Sequence, residues 1–405
     1  MIATRGSFRE QASSKSLQLV VRSLAREIVL TAASAALAGL AVCGNPDYPS
    51  WRVRHARLRH SQPPNALENG RVMRALTASQ VRDLAPMSHA IEMMKAVFAG
   101  HSAGHTISPL RTPIEMPNGS GVVLFMPAYV PESRNAPAAV GSKIVSVFGG
   151  NRARGLPTIN AIVVVVDPAT GVPLGILEGA TITALRTGAV SGAATDILAR
   201  RNARTLAIIG AGAQGVTQAA AVSAVRNIST IRVADLSSEA VSSFADRLRA
   251  WSPQAAELVQ PAANARDAVE GADIICTATT ATRPVFEDAW LSSGAHINAV
   301  GAYTPAMQEI PDETIRRAVI VVDDVDAALH EAGDLIQAVE RNVISRDTIA
   351  IELGHLVSGT AQGRLDDDQI TFFKSVGNAI QDMIVAGAAL QAAERTGVGH
   401  ELSLS

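Results

Sequence analysis

Behind a Ser/Thr start at Thr77-Ala-Ser79, the apolar residues Val81, Leu84, Met87, Ile91, Met94 and Val97 recur at helical spacing. One or two opening helices are predicted there. The pattern then shortens into strand-like pieces at 121–126, 138–147 and 160–166, with the turn Asp167-Pro-Ala-Thr-Gly171 leading to a further piece at 173–177. Such pieces predict a sheet or open barrel. A Gly- and Ala-rich helical stretch at 183–201 follows, its small side chains suited to close packing. From Thr205 onward short β-rich runs at 206–209, 230–233, 274–277, 296–300 and 319–322 alternate with Ala-rich helical stretches. This alternation is the pattern of a parallel, doubly wound α/β domain. Helical segments are expected again at 327–339 and 372–393, and no internal repeat is present.

The first of those later strands runs into Gly210-Ala-Gly212-Ala213-Gln214-Gly215 and a helix at 216–225. In this GxGxxG motif Gly210 makes the tight turn, Gly212 lets backbone approach a pyrophosphate, and Gly215 allows helix-on-strand packing. The helix N-terminus supplies free N–H groups and the positive end of a dipole. Asp235 ends the next strand, 20 residues after Gly215. A carboxylate there accepts ribose hydroxyls and repels a 2′-phosphate. Leu236-Ser237-Ser238 offers no arginine to neutralise such a phosphate, so NAD(H) is favoured, with the two serines leaving NADP(H) open. Thr277-Ala278-Thr279 lies at the carboxyl end of a later strand, where an open α/β sheet presents its ligand crevice. Cys276, with no histidine near it in sequence, reads as a core cysteine.

Arg111, Lys143 and Arg186 stand in stretches that otherwise read as buried. Cations are seldom buried without an anionic partner, so together they suggest a seat for a small carboxylate. An arginine holds one through parallel charge-assisted hydrogen bonds, and lysine acts as a point charge. Each taken singly is equally well an ordinary structural ion pair.

The ordered series Lys143-Ile-Val-Ser, Asp167-Pro-Ala-Thr-Gly171-Val-Pro, Glu178-Gly-Ala-Thr-Ile-Thr183-Ala-Leu-Arg186-Thr187-Gly-Ala189, Ile209-Gly210-Ala-Gly-Ala-Gln-Gly215, Ile297-Asn-Ala-Val300-Gly301, Glu352-Leu-Gly354 and Phe373-Lys-Ser375-Val-Gly377…Asp382 resembles the ornithine cyclodeaminase/mu-crystallin family. The likeness runs over about residues 73–395. It implies a Rossmann-type doubly wound parallel-sheet domain (196–324), binding NAD(P), inserted in a discontinuous α+β domain (73–195 plus 325–405) that binds substrate and forms a homodimer. By this resemblance Arg111, Lys143 and Arg186 fall on substrate-carboxylate positions. Thr187, Val300, Gly301 and Ser375 join Gly210, Gly212, Ala213, Gln214, Gly215, Asp235, Thr277, Ala278 and Thr279 at the cofactor.

The informative departure is Tyr303, which stands where cyclodeaminases and related alanine dehydrogenases carry an aspartate. A phenol, with a reference pKa of about 10, is no anionic base near neutrality. Members without that aspartate resemble ketimine reductases. The expectation is NAD(P)H-dependent reduction of a small cyclic imino acid, Δ1-pyrroline-2-carboxylate or its six-membered homologue, to L-proline or L-pipecolate. Lys143 leads as proton donor, directly or through water, with Tyr303 second or else a wall of the pocket. Two other readings stay open: an alanine dehydrogenase or ornithine cyclodeaminase in which another acid replaces the aspartate, and a non-catalytic mu-crystallin-like binder.

Charge changes one part of the picture. The chain of 405 residues has a net charge of −2, which gives no field for nucleic acid or an anionic membrane. Residues 1–72, however, carry 10 basic and 4 acidic residues, against 25 and 33 in the remainder. Their 16-residue apolar run at 28–43 falls short of the roughly 18–20 residues of a membrane span. They read as an extension that is disordered, non-native with Met73 as the start, or an organelle-targeting segment. Cys43 and Cys276 make neither a disulfide framework nor a zinc site, so no metal is expected. A reducing, cytoplasmic setting fits, with organellar targeting left open.

Overall fold

The computed structural model describes residues 72–403, and the readings made for the preceding extension lie outside them. Two seven-stranded sheets organise the chain. The first begins with β1 (Val72–Leu76), followed by α1 (Ala78–Leu84) and α2 (Met87–Ser102). A reciprocal capping box between Thr77 and Gln80 starts α1, as the Ser/Thr signal predicts. Strands β2 (Thr112–Glu115), β3 (Val122–Val130), β4 (Ala139–Val147), β5 (Ile159–Val166) and β6 (Pro173–Glu178) then form a mixed sheet with β1. Alternation along β3–β5 turns Met126, Ala128, Lys143, Val145, Val163 and Val165 to the covered side.

Helix α3 (Gly179–Leu198) is buried along most of its length, and Glu178 caps its first turn through both carboxylate oxygens. It leads into β7 (Thr205–Ile209), α4 (Ala213–Val225), β8 (Thr230–Ala234), β9 (Val259–Pro261), β10 (Ile274–Thr277), β11 (His296–Ala299) and β12 (Val319–Val322). A Cβ at Gly188 would stand 2.5 Å from the Thr217 carbonyl oxygen, so glycine there sets the close approach of α3 to α4.

Helices α5 (Val325–Glu331) and α6 (Gly333–Glu340) follow, then β13 (Thr371–Lys374), α7 (Ala379–Thr396) and β14 (His400–Ser403). The second sheet is parallel throughout, in the order β12-β13-β11-β10-β7-β8-β9. Its strand order reverses direction at β7, between β8 and β10, which opens the ligand crevice at the strand ends.

Three sequence expectations are corrected. The single helix expected at 372–393 is a strand and a helix: Gly377 has φ +86°, and Asn378 caps α7 in a box with Gln381. The helix expected at 327–339 divides at Ala332, where Gly333 packs against the Met307 and Thr304 carbonyls. As a result β13 lies between β11 and β12, and Ala328, Leu335 and Phe372 share a core with Ile275 and Ile297. The expected boundary at residue 325 therefore does not separate the sheets. Instead α7 and β14 return to the first sheet, while the segment up to β13 completes the second. The reason is register: the β-branched and aromatic Thr371-Phe-Phe run pairs on both sides, a context that periodicity alone does not carry.

Candidate active site

Gly210 follows β7 with φ +102°, and a Cβ there would meet the Ala278 carbonyl oxygen at 2.5 Å. A Cβ at Gly215 would collide with the Gly210 carbonyl, whereas one at Gly212 would meet nothing within 4 Å. Gly210 and Gly215 are thus held to glycine by close backbone, and the open side of the loop is at Gly212. Helix α4 starts at Ala213 with no side-chain cap, and Gln214 Oε1 is buried without a partner. These uncapped N–H groups and the open approach fit a dinucleotide pyrophosphate.

Asp235, at the end of β8, accepts from the N–H of Ala211 (2.7 Å) and of Ser237 (2.8 Å). The sequence next to it lacks arginine, but the fold brings Arg247 to the same corner. Its guanidinium donates to the Ala211 carbonyl at 2.6 Å and to the Ala240 carbonyl at 2.8 Å. Ala211 is thus held on its N–H by an anion and on its carbonyl by a cation.

The strand-end residues Thr277, Thr279 and Gly301 converge on a group the sequence did not single out. The fully buried Glu309 accepts from Thr277 Oγ1 (3.0 Å), Thr279 N (2.6 Å) and Oγ1 (2.8 Å), Gly301 N (2.8 Å) and Ala302 N (3.2 Å). Its own N–H donates to Asp334, which pairs with the fully buried Lys374 at 2.9 Å. Burial pushes the Glu309 carboxyl up, while Lys374 pulls it down. Ser375 donates to Asp323 at 2.7 Å, and Gly377 N–H donates to the same oxygen at 2.8 Å. Thr187 lies buried on α3, its hydroxyl on the Thr183 carbonyl and its own carbonyl accepting from Gln218. Val300 is also buried. Cys276 is a core residue, its thiol pushed up to about 12 by burial.

Lys143 and Arg186 meet on one carboxylate. Lys143 Nζ lies 2.8 Å from Asp382 Oδ2, and Arg186 Nε donates to Asp382 Oδ1 at 3.3 Å. Arg186 Nη1 donates to the neutral Gln381 at 2.7 Å. All three charged groups are nearly inaccessible, so two buried cations share the carboxylate of Asp382, and the buried Asp323 carboxylate also acts on Arg186. Burial brings the Lys143 ammonium down to about 8; Asp382 opposes this, while Arg186 and Arg111 add to it. Gly377 is required here twice, by its positive φ and because a Cβ would collide with Arg186.

Arg111 stands at the rim of a cleft of about 700 Å³. Its Nη2 donates to the Val376 (3.2 Å) and Gly377 (2.8 Å) carbonyls and lies 2.7 Å from Glu331. Among the described residues its Nε and Nη1 have no partner. His101 lines the same cleft, with Nε2 2.8 Å from Asp324 and Nδ1 2.8 Å from Thr106. Burial acts to lower the His101 pKa, but the Asp324 carboxylate outweighs it and the net shift is upward.

The structure therefore brings Arg111, Lys143 and Arg186 into electrostatic reach of one another. It does not connect Tyr303 to them. That side chain is 39% exposed and makes no hydrogen bond or ring contact among the described residues. Asp382, Glu309, Glu331 and Arg247 were not assigned from sequence. Asp382 carried a usable signal, since it is the lone charge in the first fifteen residues of α7. Nothing local marks the other three.

The family model for the ornithine cyclodeaminase/mu-crystallin family matches residues 71–396. A Bacillus cereus Δ1-pyrroline-2-carboxylate reductase is 41% identical over 331 residues, covering 82% of this chain and 99% of that one. Among solved structures, the Thermococcus litoralis Δ1-pyrroline-2-carboxylate reductase in complex with NADH and L-proline has a TM-score of 0.76 at 38% identity, covering 82% of this chain and 100% of that chain. An archaeal alanine dehydrogenase dimer with bound NAD has a TM-score of 0.75 at 31% identity, over 82% and 100%.

Proposed function

The chain belongs to the ornithine cyclodeaminase/mu-crystallin family, and on that premise we propose that it reduces a small cyclic ketimine carboxylate, Δ1-pyrroline-2-carboxylate or its six-membered homologue, with a nicotinamide dinucleotide. The observation that carries this reading is the pair of buried cations, Lys143 and Arg186, that share the one carboxylate of Asp382. A buried cation without an anion is unstable unless a ligand supplies one, and a substrate carboxylate does so. Arg186 and Lys143 provide the charge, and the unused edge of Arg111 provides directed donors.

The Gly210–Gly215 loop, Asp235 and the strand ends at Thr277–Thr279 and Gly301 would hold the dinucleotide. When bound, the reduced nicotinamide supplies the hydride that reaches the imine carbon. The imine nitrogen must gain a proton as its C=N bond becomes CH–NH, and Lys143 holds that proton at Nζ. Asp382 fixes the ammonium in place, and burial keeps it acidic enough to give the proton up near neutrality. Fixing the carboxylate at one end of a small ring restricts the orientation of its reacting carbon, which lowers the entropy cost of the step.

The reading is tested by following NADH oxidation with Δ1-pyrroline-2-carboxylate; absence of turnover rejects it. The proton assignment gives a pH profile. Lys143 is the acid for reduction, so kcat should hold below about pH 8 and fall about tenfold per unit above it. Oxidation of L-proline needs the neutral amine and should rise over the same interval. A reduction rate flat to pH 10 rejects Lys143 as donor. For the cofactor, Asp235→Ser removes the ribose acceptor and its repulsion of a 2′-phosphate. The preference for NADH over NADPH in kcat/KM should fall by about tenfold or more, and an unchanged ratio would take Asp235 out of the ribose site.

A homodimer is part of the same proposal. The side of the first sheet away from α3 and α7 presents Phe125, Ile144 and Ile162 in one row and Val164 with Ile176 in the next, all half-buried. An apolar sheet face of this breadth calls for a cover, and a second copy supplies one by two-fold symmetry.

A further inference from the structure

We propose that Glu331 sets the charge class of substrate: the cleft admits imines with one carboxylate and excludes those with a second anionic group. The inference rests on the ketimine reductase reading and deepens it. The charges beside the cleft are already matched. Arg111 is paired with Glu331 at 2.7 Å, and His101 with Asp324 at 2.8 Å. Asp326 and Glu352 also line the cleft, and Glu352 adds its negative charge to that of Asp324 around His101.

The remaining cations, Lys143 and Arg186, are buried and already face Asp382 and, for Arg186, Asp323, so they leave no seat for a second carboxylate. A second carboxylate in the cleft would meet Glu331 already seated on the arginine it needs. Like charges in a partly dehydrated cleft repel strongly, so the exclusion acts by charge rather than by size. Neutralising Glu331 reverses this, because Arg111 Nη2 is then released from Glu331 to meet the second carboxylate while the other edge of the guanidinium keeps the first.

The test compares three probes of one ring: Δ1-pyrroline-2-carboxylate, its 5-carboxamide and its 5-carboxylate. The amide and the acid have nearly the same shape and differ in charge. In the wild-type protein, kcat/KM for the 5-carboxylate should lie about a hundredfold or more below that for the 5-carboxamide, chiefly through KM. In Glu331→Gln the gap should shrink by about tenfold or more. Asp326→Asn should narrow it less, since Asp326 is not on Arg111. Equal use of amide and acid by the wild-type protein overturns the inference, with the ketimine reading intact if the unsubstituted ring is reduced. A gap that Glu331→Gln leaves unchanged also overturns it. No turnover of any of the three probes overturns both the inference and the reading beneath it.

Discussion

Lys143→Met should lower kcat for imine reduction by about 10²–10⁴-fold, the usual worth of a positioned general acid, and should do so without unfolding the protein. Methionine keeps the apolar stem and removes the ammonium. What remains at the centre is Arg186 with Asp382, one cation against one anion, where the wild-type protein has two cations on that carboxylate. The apo protein should therefore be as stable as wild type or more so in urea unfolding, despite the loss of a buried ion pair. NADH affinity, followed by its fluorescence, should be retained, because Lys143 lies on β4 and the dinucleotide loop on the second sheet. Substrate KM should rise as well, since one of the two buried cations proposed to seat the carboxylate is gone. Retained turnover would remove Lys143 from the chemistry. A collapse in stability would show that Asp382 needs both cations rather than one.

The converse substitution, Asp382→Asn, should destabilise the fold by about 3–5 kcal/mol, the scale measured when one partner of a buried ion pair is deleted. Asparagine is close in shape but takes from Lys143 and Arg186 the carboxylate they share, at sites that are 1% and 6% exposed. Asp382 is also the main influence holding the Lys143 pKa up against burial. Its loss should move the fall in reduction rate to a pH below 8. The double variant Lys143→Met/Asp382→Asn, carrying a single buried cation, should recover part of the lost stability. A double variant no more stable than Asp382→Asn would show that the cost lies elsewhere. Equilibrium urea curves on the three variants measure this directly.

Legibility differed from residue to residue. The dinucleotide corner could be read because its requirements are local: Gly210, Gly212 and Gly215 each answer to backbone within a few residues or to a single neighbouring strand. The three basic residues could be flagged because cations in apolar stretches are costly wherever the chain runs. Their arrangement could not be read. The boundary drawn at 325 and the helix expected at 372–393 failed together, because β13 is a strand only by virtue of the neighbours on either side of it. Tyr303 marked a departure from cyclodeaminases, yet its exposed side chain is not in contact with the basic centre.

Legible in the order of residues alone were a parallel α/β dinucleotide domain, the glycine loop proposed for its ligand's phosphates, and a set of cations in apolar stretches that need anions. These follow from periodicity, backbone sterics and the cost of burying charge, all of which act at short range. Which anion each cation receives depends on how distant segments pack. Arg186 and Asp382 are 196 residues apart, and Arg111 finds Glu331 from the opposite sheet's helices. Charge balance is a property of groups within a few ångströms, and the chain's order does not record which groups those are.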